Sequence, residues 1–175
     1  MANYMNIEPC SFNNGEGIRT SIFLSGCTHC CKGCFNQEAL DFNAGQEFTN
    51  ETLNKLLDYC NKEYVAGLSI LGGEPMHQDN VETTACICIE FKNRFPDKTI
   101  WIWTGYTFDE ILYRPCNSNQ CYEVTDILTH IDVLIDGRFI EEQKDLTLKW
   151  RGSSNQRVID VRQSLKEGKV ILYAE

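Results

Sequence analysis

The chain has 175 residues, 42% hydrophobic and 23% charged, proportions that exclude a large multidomain enzyme, a disordered tail and a fibrous repeat and predict one compact domain over residues 1–175. Twenty-five acidic against 16 basic residues leave a formal charge of −9, which argues against a nucleic-acid partner because a phosphate backbone would be repelled. No stretch reaches the roughly 18 uninterrupted apolar residues of a membrane span, and Met1 to Cys10 has neither a basic segment nor an apolar run, so a soluble, cytoplasmic protein without membrane contact is expected.

In chain order, Ile7 to Phe12 and Ile18 to Leu24 flank Asn13-Asn14-Gly15, which predicts an entry hairpin whose turn needs a positive φ. Ile18 to Leu24 also begins a series of four short apolar runs, each soon meeting glycine. It leads into Ser25-Gly26; Leu68 to Leu71 leads into Gly72-Gly73-Glu74-Pro75; Thr99 to Trp103 into Thr104-Gly105-Tyr106; and Val133 to Ile135 into Asp136-Gly137. Runs of this composition suit buried parallel strands. Helical spacing fills the gaps. Asn50 to Tyr64 sets Leu53, Leu56, Leu57 and Cys60 on one side, and Asp79 to Phe95 opens with Asp79 and Glu82 in capping-box spacing. Thr107 and Glu110 repeat that spacing before Ile111 and Leu112, and Pro115 stops the short helix. Val124 to His130 predicts one more helix, and Val158 to Val161 with Val170 to Tyr173 predict late strands.

Strands alternating with helices imply right-handed crossovers and an α/β fold. Ligands of such sheets gather beyond the carboxyl ends of the strands, which places the four glycine-containing loops on one edge. A complete eight-unit barrel takes about 250 residues, so this chain is expected to form an incomplete, partial β/α barrel or a wound sheet.

Ten cysteines in a chain without an export signal are expected to be reduced, so a local cluster of them points to metal or catalysis rather than to disulfides. Cys27, Cys30, Cys31 and Cys34 fall in the stretch Gly26-Cys27-Thr28-His29-Cys30-Cys31-Lys32-Gly33-Cys34-Phe35-Asn36. Cys27, Cys31 and Cys34 have CxxxCxxC spacing, which lets one loop hold three corners of a [4Fe-4S] cubane and leaves the fourth iron open to a substrate or cofactor. A zinc knuckle made of all four cysteines is the alternative, although zinc binding has no use for the Gly72-Gly73-Glu74-Pro75 segment. Cys30 is then a bystander, and His29 is either a ligand or a residue behind the ligands or at the surface.

Those cysteines, with Gly72-Gly73-Glu74-Pro75 downstream, resemble the radical S-adenosylmethionine enzymes. Gly17-Ile18-Arg19 through Asn36, Trp103-Thr104-Gly105-Tyr106 and Trp150-Arg151-Gly152-Ser153-Ser154-Asn155-Gln156 are similar to the branch that activates anaerobic ribonucleoside-triphosphate reductases, over nearly the whole chain. The resemblance implies a partial radical S-adenosylmethionine barrel and a [4Fe-4S] cluster on Cys27, Cys31 and Cys34. It further implies S-adenosylmethionine lined by Gly33, Cys34 and Phe35, with its methionine amino group received by Gly72, Gly73 and Glu74, Gly73 nearest. The implied reaction is reductive cleavage of S-adenosylmethionine to place a glycyl radical on the large subunit of the reductase, with reduced flavodoxin or a similar protein as electron donor. Activation of another glycyl-radical enzyme is the alternative within the class.

Other residues have plainer expectations. Trp103 and Tyr106 suit core or rim positions. Cys60, Cys86 and Cys88 suit buried small hydrophobes. Cys116 and Cys121, on a polar excursion expected at the surface, could form part of a second metal site, a redox pair, or neither. Arg151, Arg157 and Arg162 make a basic carboxyl-terminal part, either a solvated face or a docking surface for an acidic partner.

Overall fold

The computed structural model describes residues 1–115 and 123–174; Cys116 and Cys121 lie outside them. Ile18–Leu24 forms β2, Val65–Gly72 β4, Thr99–Trp103 β5 and Val133–Asp136 β6, and these four pair in parallel in that order. Asn3–Ser11 (β1) and the two-residue β3 at Gln46–Glu47 add to one side, and Arg157–Asp160 (β7) and Leu172–Ala174 (β8) to the other, all antiparallel. The result among the described residues is one mixed sheet of eight strands, ordered β3-β1-β2-β4-β5-β6-β7-β8. The expected α/β architecture is therefore present, with the parallel strands central and antiparallel strands at both margins.

Period-2 alternation divides the sheet into two faces. Ile22, Leu24, Leu68, Ile70, Ile100, Ile102, Leu134 and Ile159 point to one side and share a single core with residues from all five helices. Those helices are α1 (Asn50–Cys60), α2 (Gln78–Arg94), α3 (Phe108–Leu112), α4 (Val124–Leu128) and α5 (Val161–Glu167). The intervening residues face the other way. There Trp101, Val133, Ile135 and Val158 form a second cluster, over which Trp103 and Trp150 pack. Phe23 and Leu71, also on that side, are half-exposed. One face is thus sealed by helices, and the other is covered mainly by the loop carrying Trp150.

Helix boundaries follow local capping. Thr49 and Thr52 form a capping box at α1, as do Thr107 and Glu110 at α3. At α2 the cap is His77 rather than Asp79, because His77 Nδ1 accepts the Asp79 N–H at 3.3 Å and the helix begins one residue early. α1 stops at Cys60, short of Tyr64, where Asn61 N–H turns back to Asp58 and the chain enters β4. The entry hairpin exists, but a six-residue loop from Phe12 to Gly17 replaces a tight turn, with Gly15 at φ +114° and Gly17 at +77°.

At the amino ends of the parallel strands, Arg19 is 1% exposed. Its guanidinium donates to Ser69 Oγ (2.8 Å), Thr99 Oγ1 (2.9 Å) and the carbonyls of Leu68 (2.8 Å), Thr99 (2.8 Å) and Glu16 (3.2 Å). Burial lowers its pKa to about 10, which leaves it charged at neutral pH. It ties β2, β4 and β5 together at the end of the sheet remote from the cysteine loop. Gly67 is needed beside it, since a Cβ there would lie 2.7 Å from an Arg19 nitrogen and 2.0 Å from the Thr99 carbonyl oxygen.

Among the helical cysteines, Cys60 and Cys88 are fully buried, whereas Cys86 faces away from Cys88 and is half-buried, so only two of the three behave as core residues. Burial raises the Cys60 thiol to about 11 and moves Cys88 in the same direction. The folded chain therefore keeps protons that the unfolded chain releases above about pH 9, and stability falls as pH rises through that window, by at most about 1.4 kcal/mol per pH unit for each thiol. Urea titrations under reductant should show this alkaline decline, and a Cys60→Ala/Cys88→Ala variant should flatten it. Among the described residues, no helix is long and apolar enough to cross a membrane.

Candidate metal centre

The four loops predicted to share an edge are joined by a chain of hydrogen bonds. Gly73 N–H donates to Leu24 O (2.7 Å) and Glu74 N–H to Gly26 O (2.8 Å), which fastens the β4 loop to the start of the cysteine loop. Thr104 N–H donates to Ile135 O (2.9 Å) and Gly137 N–H to Tyr106 O (3.0 Å), which joins the β5 and β6 loops. Gly72, Gly73 and Glu74 therefore adjoin the segment from which Cys27 projects.

Glu74 is the centre of this edge. It is 1% exposed, and its carboxylate accepts Met76 N–H (2.9 Å), Thr104 Oγ1–H (2.7 Å), Gly105 N–H (2.7 Å) and His29 Nε2 (2.9 Å). A carboxylate offers about four acceptor positions, and all are used within the protein. His29, whose side chain is 4% exposed, is thereby fixed behind the cysteines rather than offered as a ligand. Its ring also packs edge-on against Tyr106 at 4.5 Å. Gly105 makes room for it, since a Cβ there would lie 2.3 Å from the imidazole. Asn80, 1% exposed, adds donors to the carbonyls of Ser25 (2.9 Å), Gly26 (3.3 Å) and Glu74 (2.9 Å). Nothing in the sequence singled out Asn80, because a polar residue in a first helical turn is ordinarily solvated.

The cysteine loop departs from regular structure after Gly26, at φ +90°, with Cys30 at +48° and Gly33 at +73°. Cys30 is exposed, while Cys27, Cys31 and Cys34 are half-buried. Burial pushes Cys27 up to about 11, and the Glu74 carboxylate and the Cys31 and Cys34 thiols add to this. Cys31 is raised for the same first reason, with Cys34 contributing. The backbone at His29 and Phe139 works in the opposite direction, moderating the rise at Cys27 and Cys31. Among the described residues, no three His, Cys, Asp or Glu side chains already converge as a finished metal cage. The donor set nonetheless fits a cubane. Three thiols are carried by one irregular loop, mutually repulsive as thiolates and so stabilised by a shared cation.

A cavity of about 570 Å³ opens beside Cys34 and Phe35, bounded also by Phe23, Met5 and Asn36. Phe23 places it on the helix-free face. Phe35 is 71% exposed at its rim. Gly33 faces Glu141, where a Cβ would meet a carboxylate oxygen at 3.0 Å, and Lys32 pairs with Glu141 at 2.9 Å. Trp103 and Tyr106 take rim positions, with Trp103 Nε1 donating to Trp150 O at 2.7 Å. Arg157 is held by Asp136, through Nε to Oδ1 at 3.0 Å and a second contact from Nη2, and Arg162 by Asp132 at 2.8 Å. Two of the three late arginines therefore serve ion pairs within the fold.

Gly73 needs its missing side chain because a Cβ would lie 2.5 Å from Gly26 O and 2.9 Å from Gly26 N. Gly73→Ala is therefore expected to displace the start of the cysteine loop and leave only a minor fraction of the protein able to retain iron, measured as iron per chain after air-free reconstitution. Full loading would show that this contact does not control the loop.

Residues 13–159 match the family model of the 4Fe-4S single cluster domain, which makes this an iron–sulfur domain. Three relatives, each called anaerobic ribonucleoside-triphosphate reductase-activating protein, resemble the chain over most of its length. That of Haemophilus influenzae is 45% identical over 158 residues, 88% of this chain and 95% of the relative. That of Enterobacteria phage T4 is 39% identical over 158 residues (89% and 92%), and that of Escherichia coli 38% over 162 residues (91% and 99%). The chain belongs to the family of anaerobic ribonucleoside-triphosphate reductase-activating proteins.

Proposed function

We propose that this protein activates an anaerobic ribonucleoside-triphosphate reductase as a radical S-adenosylmethionine enzyme, with Cys27, Cys31 and Cys34 holding a [4Fe-4S] cluster. The observation that carries it is a loop with three half-buried cysteines in CxxxCxxC spacing, fastened through His29 and Glu74 to the neighbouring strand end and bordered by a cavity beside Cys34 and Phe35. Cys27, Cys31 and Cys34 would hold the cluster, which would supply one-electron reduction, fed by an external donor such as reduced flavodoxin, for reductive cleavage of S-adenosylmethionine and so for removal of a hydrogen atom from a glycine Cα of the reductase large subunit.

The protein's own part is to hold and orient. Cys34 and Phe35 border the cavity and, with Gly33, would line S-adenosylmethionine. Gly72 and Gly73 present backbone to the methionine end, where carbonyl oxygens attract an ammonium. Glu74 enters this scheme differently from the expectation that its carboxylate receives the ammonium directly, because its acceptor positions are filled. It holds His29, Thr104 and the backbone at Met76 and Gly105 in place. The parallel strands with helices on one face suit a partial barrel whose concave side is the helix-free one, left for the reductase to cover. An activator of another glycyl-radical enzyme would use the same chemistry, but the relatives favour the ribonucleotide reductase.

Air-free protein reconstituted with iron and sulfide should contain about four of each per chain. Mixed with S-adenosylmethionine, a reductant and the reductase, it should produce a glycyl radical detectable by electron paramagnetic resonance. Stoichiometric zinc without labile sulfide would instead establish a zinc module.

A further inference from the structure

Where the cysteine loop meets the Gly72-Gly73-Glu74 segment, one buried side chain spans both. Asn80 lies in the first turn of α2 and is 1% exposed. Its Nδ2 donates to Ser25 O (2.9 Å) and Gly26 O (3.3 Å), just before Cys27, and to Glu74 O (2.9 Å), just after Gly73. An amide nitrogen carries two hydrogens, so three carbonyls are drawn to one point. Pairing alone does not require this, because Gly26 O already accepts Glu74 N–H at 2.8 Å and Glu74 O accepts His77 N–H at 3.1 Å. What the Asn80 amide adds is a fixed spacing between two loops. Gly26 is hemmed in as well by Phe42, whose ring a Cβ on Gly26 would approach to 2.1 Å, and that ring packs 4.7 Å from His77, the cap of α2. One turn further along the same helix face, the fully buried Thr84 donates to Pro75 O at 2.9 Å. Asn80 and Thr84 thus both hold the loop after β4, and of the two Asn80 alone also reaches the cysteine loop.

A ligand gripped at two points tolerates little error in their spacing, on the order of 0.5 Å in a working site. We propose that Asn80 is a positioning residue for S-adenosylmethionine: by holding the first carbonyls of the cysteine loop against that of Glu74, it sets the spacing between the iron left without a cysteine and the Gly72–Gly73 backbone that receives the methionine ammonium. This rests on the function proposed above and adds to it the residue that matches the two halves of the site to each other.

The test is a titration of S-adenosylmethionine into the reconstituted, reduced protein, read from the change it makes in the electron paramagnetic resonance signal of the cluster. Asn80→Ala should retain the wild-type iron content, since no cysteine is touched, yet reach half-saturation at about tenfold higher S-adenosylmethionine. Asn80→Asp, which keeps the shape and turns an oxygen toward the three carbonyls, should shift it at least as far. Thr84→Val is the control: it loses a buried hydroxyl from the same helix face, so its melting temperature should fall while its half-saturation stays at the wild-type value. If Asn80→Ala behaved like Thr84→Val, melting earlier but half-saturating at the wild-type concentration, the inference would be overturned. Should Asn80→Ala fail to load iron, Asn80→Ser, which keeps one donor, decides by the same criterion. A wild-type cubane whose signal S-adenosylmethionine leaves unchanged, or no cubane at all, would instead defeat the reading of the site itself.

Discussion

Cys27→Ala, Cys31→Ala and Cys34→Ala are each expected to abolish both the labile sulfide of the reconstituted protein and glycyl-radical formation on the reductase, while Cys30→Ala retains them. The separation follows from placement. Cys27, Cys31 and Cys34 are half-buried and share an electrostatic environment, whereas Cys30 is exposed at a positive φ. A cubane held by two thiolates loses a third of its protein ligands, and no His, Asp or Glu among the described residues is gathered with the cysteines to substitute. The drop in radical yield should therefore be to background rather than partial. Retention of four irons by Cys31→Ala, or their loss from Cys30→Ala, would exchange the ligand assignment.

Glu74→Ala is expected to be the most damaging change on the site edge that involves no ligand. It strands four donors, the N–H groups of Met76 and Gly105, the Thr104 hydroxyl and His29, in a region where Glu74 itself is 1% exposed. Leaving buried partners unpaired costs about 3 to 5 kcal/mol in such networks, a large share of a small domain's stability. Glu74→Gln keeps the shape but turns an NH₂ toward two of those donors, so it too should lower the urea midpoint. A carboxylate whose only task was to receive the cofactor's ammonium would behave otherwise: Glu74→Gln would unfold at the wild-type midpoint and bind S-adenosylmethionine more weakly.

The hydrogen bond from His29 to Glu74 explains why the histidine had two readings in the sequence. Its spacing among the cysteines is compatible with ligation, and only the approach of the β4 and β5 loops supplies the carboxylate that takes its Nε2. The same approach changes the meaning of the Gly-Gly-Glu segment. Its glycines suggested access for a cofactor, and the structure adds that Gly72 and Gly73 already accommodate the backbone of Leu24 and Gly26.

Local information decided a good deal. Ile18 to Leu24 and Thr99 to Trp103 were delimited as strands by apolar composition and the glycines that close them, and Thr107 with Glu110 marked the start of α3, because these signals act within a few residues. The three-cysteine spacing and its family resemblance likewise needed only the order of residues. What the sequence could not decide was whatever depends on residues far apart in the chain. The brief β3 has no hydrophobic pattern of its own and exists because β1 offers it an edge. Asn80 acquires three carbonyl partners, and Ser153 and Asn155 acquire Ile140 N–H and Arg138 O as theirs, only when loops from different strands meet. The proposed ligand set was thus legible in one short loop, but the burial around those cysteines comes from tertiary contacts, since packing and electrostatics act across space regardless of separation along the chain.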